Sequence, residues 1–518
     1  MSRQSGLTRR QTLAISAAGF AALISPKIVR AQNATILRAR SYGDIQVLDP
    51  AYRKAAPEDD IMRCLFNGLV RRKSADSWEW ELDAAESIEQ VDGKTIAFKL
   101  KPGIKFSGDF GEMTAEDVKF SYERIADPAK ESPYKDDWAV LDNVEVKDAL
   151  SGVIHLKEPF APLWTSTLPT GSGLILSKKA VEKAGGKFET TVPAWSGPYM
   201  IKEWAPKQRT VLVRNPDWAG NKPDFDEIHI LPIEDEKTAE LGFEAGDIDF
   251  TWVSVSSIPR YLKEPPKGGK FVRKPSLAYV WMGMNVESEP FKNPTVRRAV
   301  QHAIDPAAVV DAAYFGAAEP ATGIIAPGLV GHRDKVLYAY DPDKAKALLK
   351  EAGLESGFSC TIDILNKAER ANAAQAIQAQ LADVGIKVTI QQHDSGTFWS
   401  IGDEKSGDAW KKIQLLLNRF SMQPDPSWAT AWFTPDQIGV WNWERWNSQE
   451  FGDLHKQGLV ELEPDKRDAI YKKMQDLMEE SGAYVFLTHE ATGVAYRDNV
   501  NPGLQPHGAP NFTDFKKS

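Results

Sequence analysis

From about residue 290 to residue 480 the sequence alternates short apolar runs with helical segments, and this alternation restricts the stretch to a self-contained α/β lobe. The helices mark their own ends. Asp341-Pro342 supplies a cap and a first-turn proline ahead of Ala345, Leu348 and Leu349, and Gly353 stops the segment. Residues 463–481 form a second amphipathic segment, with Ile470, Met474, Leu477 and Met478 on one side. Upstream, Thr114-Ala115-Glu116-Asp117 reads as a capping box with Asp in place of the usual Glu. It opens a helix whose apolar face is Val118, Tyr122 and Ile125. Residues 96–101 have the period of two of a half-exposed strand, and 211–213 and 228–231 are similar short runs. A chain of 518 residues exceeds one ordinary core, so two or three domains are expected, the earlier ones rich in strands and Pro/Gly turns.

A hydrophobic share of 42% with 26% charged residues is that of a folded, water-exposed chain, and no apolar run beyond the N-terminus is long enough to span a bilayer. The N-terminal segment reads as a targeting signal. Thr8-Arg9-Arg10-Gln11-Thr12-Leu13 is of the twin-arginine type, residues 13–24 are apolar and Ala-rich, and Val29-Arg30-Ala31 ends in the small residue that cleavage needs. The mature chain is therefore expected to begin near Gln32, by the folded-export route or by ordinary secretion, and to work in the periplasm. Loss of Arg3, Arg9, Arg10, Lys27 and Arg30 takes the formal charge from −9 to about −14. So acidic a chain repels nucleic acid and anionic lipid. The two cysteines, Cys64 and Cys360, sit in unrelated apolar runs and read as buried small side chains rather than a disulfide.

No enzyme constellation emerges. Gly185-Gly186-Lys187 lacks the earlier glycine of a phosphate loop, and there is no G-x-S-x-G elbow or H-E-x-x-H helix. The eight histidines include no pair at helical i,i+4 spacing, so neither a metal nor another cofactor is expected. Aromatic density is the unusual feature: seven of the sixteen tryptophans fall between Trp399 and Trp446. Rings at such density either fill a core or line a ligand cleft. Mixed with Asn418, Arg419, Asn442 and Arg445, the group including Trp399, Trp441 and Trp443 reads as a cleft lining.

An ordered set of segments then resembles the family 5 extracytoplasmic solute-binding proteins of ABC importers, the peptide, opine and nickel binders. Leu48-Asp49-Pro50 and residues 65–70 are similar to the family's opening, and residues 98–106 followed by Met113-Thr114-Ala115-Glu116-Asp117-Val118 to its signature. The usual Asp-Gly before that threonine is Phe110-Gly111-Glu112 here. Ser196-Gly197-Pro198-Tyr199, Asn215-Pro216-Asp217-Trp218 and residues 291–300 complete the order. The resemblance implies an α/β fold of periplasmic-binding-protein type II, with two lobes joined by a two-strand hinge and an extra subdomain. The first lobe would comprise 32–78, 190–285 and 484–518, the inserted subdomain 79–189, and the second lobe 286–483. The hinge would lie near Met284-Asn285 and Val485-Phe486-Leu487.

The resemblance also carries ligand positions across. Arg53-Lys54-Ala55-Ala56 matches a first-lobe loop whose backbone contacts peptide ligands, Ser132-Pro133-Tyr134 a segment whose tyrosine faces the cleft, and Arg419-Phe420-Ser421-Met422 the second-lobe turn at the ligand's leading end. Peptide binders hold the free α-ammonium there with an Asp four residues before the proline. Met422 stands at that position and cannot pair with a cation, and Asp425 is a poor geometric replacement. Arg53, Lys54 and Arg419 bring positive charge instead, and Arg419 is suited to clamping a carboxylate or phosphate. The expected function is capture of a peptide-like, opine-like or carboxylate-bearing solute by lobe closure for an inner-membrane ABC permease, by a chain that is monomeric in the family's habit. The alternatives are a sensory or chaperone-type ligand binder of the same fold and a metal-chelate carrier; an enzyme is not expected.

Overall fold

A computed structural model describes residues 34–518; the targeting signal and the Gln32 start lie outside the described residues. Three sheets organise the chain from Ile36 onward. The first has seven strands in the order Tyr199–Ala205, Arg209–Arg214, Glu227–Pro232, Ile36–Ser41, Phe250–Val253, Ala491–Arg497 and Gly269–Pro275. Only Ile36–Ser41 pairs in parallel, with neighbours on both sides, so the sheet is assembled from distant parts of the chain. Four antiparallel strands, Ala85–Asp92, Thr95–Leu100, Ser151–Leu156 and Leu141–Val146, form a separate sheet that interrupts the first in sequence. The helix Ala115–Ala126 packs beside it, and its start is as expected: the Asp117 carboxylate accepts from Thr114 N at 2.9 Å.

The third sheet is Ile386–His393, Phe358–Leu365, Leu415–Ser421, Ala278–Met284 and Tyr484–Thr488. Its first three strands are parallel and the fourth, Ala278–Met284, is antiparallel to both neighbours. All seven residues of that fourth strand are buried, as a strand covered on both faces requires. Val280, Met282 and Met284 enter a core with the helices Pro294–Ala303, Pro306–Tyr314 and Ala368–Asp383, whereas Tyr279 and Trp281 enter an aromatic core on the other face. The helix Pro342–Glu351 is capped by Asp341 as the sequence indicates, and Pro464–Glu480 buries Ile470, Met474 and Met478. Cys64 and Cys360 are buried free thiols in different cores.

Sheet membership relocates the crossings between the first and third sheets. Residues 278–284 and 484–488 belong wholly to the third sheet, so the chain crosses at 276–277 and 489–490, not at Met284-Asn285 and 485–487. The resemblance alone put the hinge at the end of this strand, but seven buried residues pairing on both edges place the strand in the lobe interior. The crossings are tied together: Ser276 Oγ donates to the His489 carbonyl at 2.7 Å, and His489 Nδ1 lies 3.2 Å from the Ala278 carbonyl.

Candidate functional site

The strand Leu415–Ser421 delivers the second-lobe residues to the crossings. Ser421 pairs with Ala278, and the next residue, Met422, donates its N–H to the Leu277 carbonyl at 2.9 Å. The period of two then divides the set that the sequence joins. Arg419 and Ser421 are exposed on one face, while Asn418, Phe420 and Met422 point to the other. Arg419 and the tryptophans therefore flank the end of one strand rather than forming a single lining.

On the Arg419 face the controlling group is Glu490, which the sequence reading missed. Arg419 Nε donates to Glu490 Oε2 at 3.0 Å and its Nη1 to Ser421 Oγ at 2.9 Å. Glu490 Oε1 accepts from Arg370 Nη2 at 2.6 Å and from the Tyr314 hydroxyl at 3.0 Å. Burial alone would raise the Glu490 pKa, but the two guanidiniums hold it below the ordinary carboxylate range, so it stays ionised. One signal was present in the sequence. His489-Glu490 is a polar pair between two apolar strand runs, where a charge needs a partner.

On the other face Phe420 is the hub of an aromatic wall. Its ring centroid lies 5.0 Å from Trp281, 5.9 Å from Trp441, 6.0 Å from Trp432 and 6.2 Å from Trp399. Trp399 is exposed and Trp441 and Phe420 are half-buried, so these three offer ring surface, whereas Trp443, Asn418 and Met422 are buried beneath it. The Asn418 side-chain Nδ2 has no partner among the described residues, and its Oδ1 accepts from Arg419 N at 2.8 Å. Two polar residues grouped with the wall serve the fold instead. Asn442 binds the carbonyls of Phe433, Thr434 and Trp446, and Arg445 pairs with Glu287 and Glu404.

Of the first-lobe residues, Arg53 is a correction: it is not a cleft cation. It is 5% exposed, pairs with Asp59 at 3.1 Å and Asp137 at 3.7 Å, and stacks 3.3 Å over the Tyr134 ring. It thereby joins the 53–56 loop to Tyr134, which is half-buried. The backbone N–H groups of Lys54 and Ala55 are both taken by the buried Glu58 carboxylate, so a ligand finds neither free. Ala56 and the Lys54 side chain are exposed, and Lys54 joins no ion pair among the described residues. No hydrogen bond, ion pair or ring contact among the described residues joins Lys54, Ala55, Ala56 or Tyr134 to the 399–443 set.

Asp425 is unavailable as a substitute for the missing anchor. It is fully buried, caps the helix Pro426–Thr430, pairs with Arg467 at 2.8 Å and accepts from the Thr165 hydroxyl at 2.5 Å. Burial opposes its ionisation, yet Arg467 and the hydroxyls of Ser427 and Thr165 keep its pKa below the usual range. A cavity of about 570 Å³ lies elsewhere, lined by Arg63, Asn67, Trp218 and Asp514 among others and by none of the expected site residues. Among the described residues no group of three or more His, Cys, Asp or Glu is placed to hold a metal, and no helix is long and apolar enough to cross a membrane.

With this geometry in place, comparison with known proteins is specific. The family model described as bacterial extracellular solute-binding proteins, family 5 (middle), matches residues 79–438. The glutathione-binding protein GsiB of Escherichia coli (strain K12) is 29% identical over 418 residues, covering 79% of this chain and 80% of that protein. The ABC transporter substrate-binding protein CtaP of Listeria monocytogenes superposes with a TM-score of 0.81 at 22% identity, covering 93% of this chain and 99% of that one. The binding protein AgaA of A. tumefacien R10, solved with agropinic acid, gives 0.70 at 23% identity, again over 93% and 99%.

Proposed function

Because the chain belongs to the bacterial extracellular solute-binding proteins of family 5, we propose that it is the periplasmic receptor of an ABC importer and that its solute bears a carboxylate. The solute is peptide-like or opine-like and enters between the two lobes. Rotation at residues 276–277 and 489–490 then closes the lobes, and the permease reads the closed shape of a monomeric receptor. Closure follows from tighter binding to the closed form than to the open one, and no bond is made or broken.

One observation carries the acid preference: Arg419, 43% exposed, sits beside both crossings with part of its guanidinium unengaged. A carboxylate there gains charge-assisted hydrogen bonds. The absence of an anionic anchor at Met422, and the prior engagement of Asp425, weigh against ordinary peptides with a free ammonium. That the relative GsiB is a glutathione-binding protein and AgaA holds agropinic acid agrees with an acidic solute. Trp399, Phe420 and Trp441 would supply apolar area to its body, and Tyr134 with Lys54, Ala55 and Ala56 the opposing wall.

Mass spectrometry of small molecules released from the denatured mature protein tests the reading directly. A single acidic compound is expected; a mixture of ordinary short peptides would overturn the reading of Met422. Arg419→Ala should weaken binding of the released compound between about tenfold and a hundredfold by calorimetry. An unchanged affinity would remove Arg419 from the site.

A further inference from the structure

Two guanidiniums share one carboxylate at the end of the strand Leu415–Ser421. Arg370 is 4% exposed and donates to Glu490 Oε1 at 2.6 Å and to the Tyr314 hydroxyl at 2.5 Å. Arg419 takes the other oxygen at 3.0 Å, and neither arginine has a second ion-pair partner among the described residues. The cluster therefore carries one uncompensated positive charge. That charge falls on the exposed member, whose Nη2 donates to no group of the described residues.

We propose that Glu490 selects the charge of the solute's end: the position beside Arg419 accepts a single carboxylate and discriminates against both neutral and doubly charged groups. The proposal rests on the solute-binding reading above, and in it Glu490 is a positioning and specificity residue that need not touch the solute. A monoanion brings the cluster to neutrality as closure removes water. A neutral amide leaves a guanidinium desolvated without a counter-charge, which is costly. A dianionic phosphonate adds an excess negative charge close to Glu490, and Glu490 has little room to withdraw. Its other oxygen is held by Arg370 and Tyr314, its N–H donates to Thr488 Oγ1 at 3.0 Å, and its backbone is left-handed at φ 58°. The Nε bond also fixes the plane of the Arg419 guanidinium, which aims the free edge.

The test is calorimetric titration of the mature protein and of Glu490→Gln with N-acetylglutathione, which carries two carboxylates and no ammonium, and with analogues in which one carboxylate at a time is replaced by an amide or a phosphonate. For one of the two carboxylates the wild type is expected to lose about tenfold or more with either replacement. In Glu490→Gln, where the cluster carries two positive charges, the phosphonate is expected to gain on the carboxylate by about tenfold, and Glu490→Asp should restore the wild-type order. Equal weakening of all probes by Glu490→Gln would overturn the proposal and leave Glu490 a purely structural residue. Wild-type binding of phosphonate as tight as carboxylate at both ends would overturn it while leaving solute capture intact. If neither protein binds any probe, the acid-binding reading beneath it falls.

Discussion

Buried carboxylates show what single residues contribute here. Asp425 spends its oxygens on Arg467, Thr165 and Ser427, so it is a structural ion and not a spare ligand group. Asp425→Asn keeps the shape but strands Arg467, which is 5% exposed, and should cost about 3 kcal/mol or more in denaturant unfolding. A loss near zero would mean that Arg467 finds another partner. Glu444 is the opposite case. It is buried with the Trp281 indole N–H at 2.7 Å and no ion-pair partner among the described residues, and burial pushes its pKa up to about 7. The folded state thus holds the proton more tightly than the unfolded chain. Stability is greatest while the group is protonated, declines as pH rises from about 4.5 through 7, and is constant above that. Glu444→Gln keeps an acceptor for Trp281 and removes the charge. It should raise stability at pH 8 by about 3 kcal/mol and change little at pH 5, as thermal melts at the two pH values would reveal.

Elements add direction to composition. The sequence groups the run Asn418 to Met422 as one lining, but its side chains part to two faces because a strand alternates, and only pairing with Ala278–Met284 tells which face meets which core. Helix starts were more legible, since a cap is local chemistry. Asp117 goes beyond it: one oxygen serves Thr114 and the other accepts from Lys178 N at 2.9 Å, clipping the next helix to this one. Asp117→Ala should therefore cost about 2 kcal/mol against about 1 kcal/mol for Thr114→Ala, measured by urea unfolding. Equal losses would show that the clip adds nothing.

At the scale of the whole molecule the two crossings matter most. His489 lies at the second, 5% exposed, with its ring 6.4 Å from that of His332, and burial lowers its pKa to about 4. The unfolded chain takes up this proton near pH 6.5 and the folded one only near 4, so stability is complete above 6.5 and is lost as pH falls between those values. Because Glu444 acts in the opposite sense over the same range, the measurement is the difference between proteins: His489→Gln should gain melting temperature on the wild type as pH falls from 6.5 to 4.5 and differ by a constant amount above 6.5. A difference that stays constant throughout would place the sensitivity elsewhere.

What the sequence determined by itself follows from local rules: capped helices, alternating strands, buried cysteines and the ordered segments that identify the family. What needed the tertiary structure was every property that depends on partners far apart in the chain. Arg53 and Arg419 look alike as cations near a cleft, yet one is spent on Asp59 and Asp137 and the other is left half free. Glu490 acquires its meaning only because Tyr314, Arg370 and Arg419 converge on it from separate elements. The reason is physical: backbone propensity acts over a few residues, whereas burial and ion pairing are decided by the long-range packing that removes water.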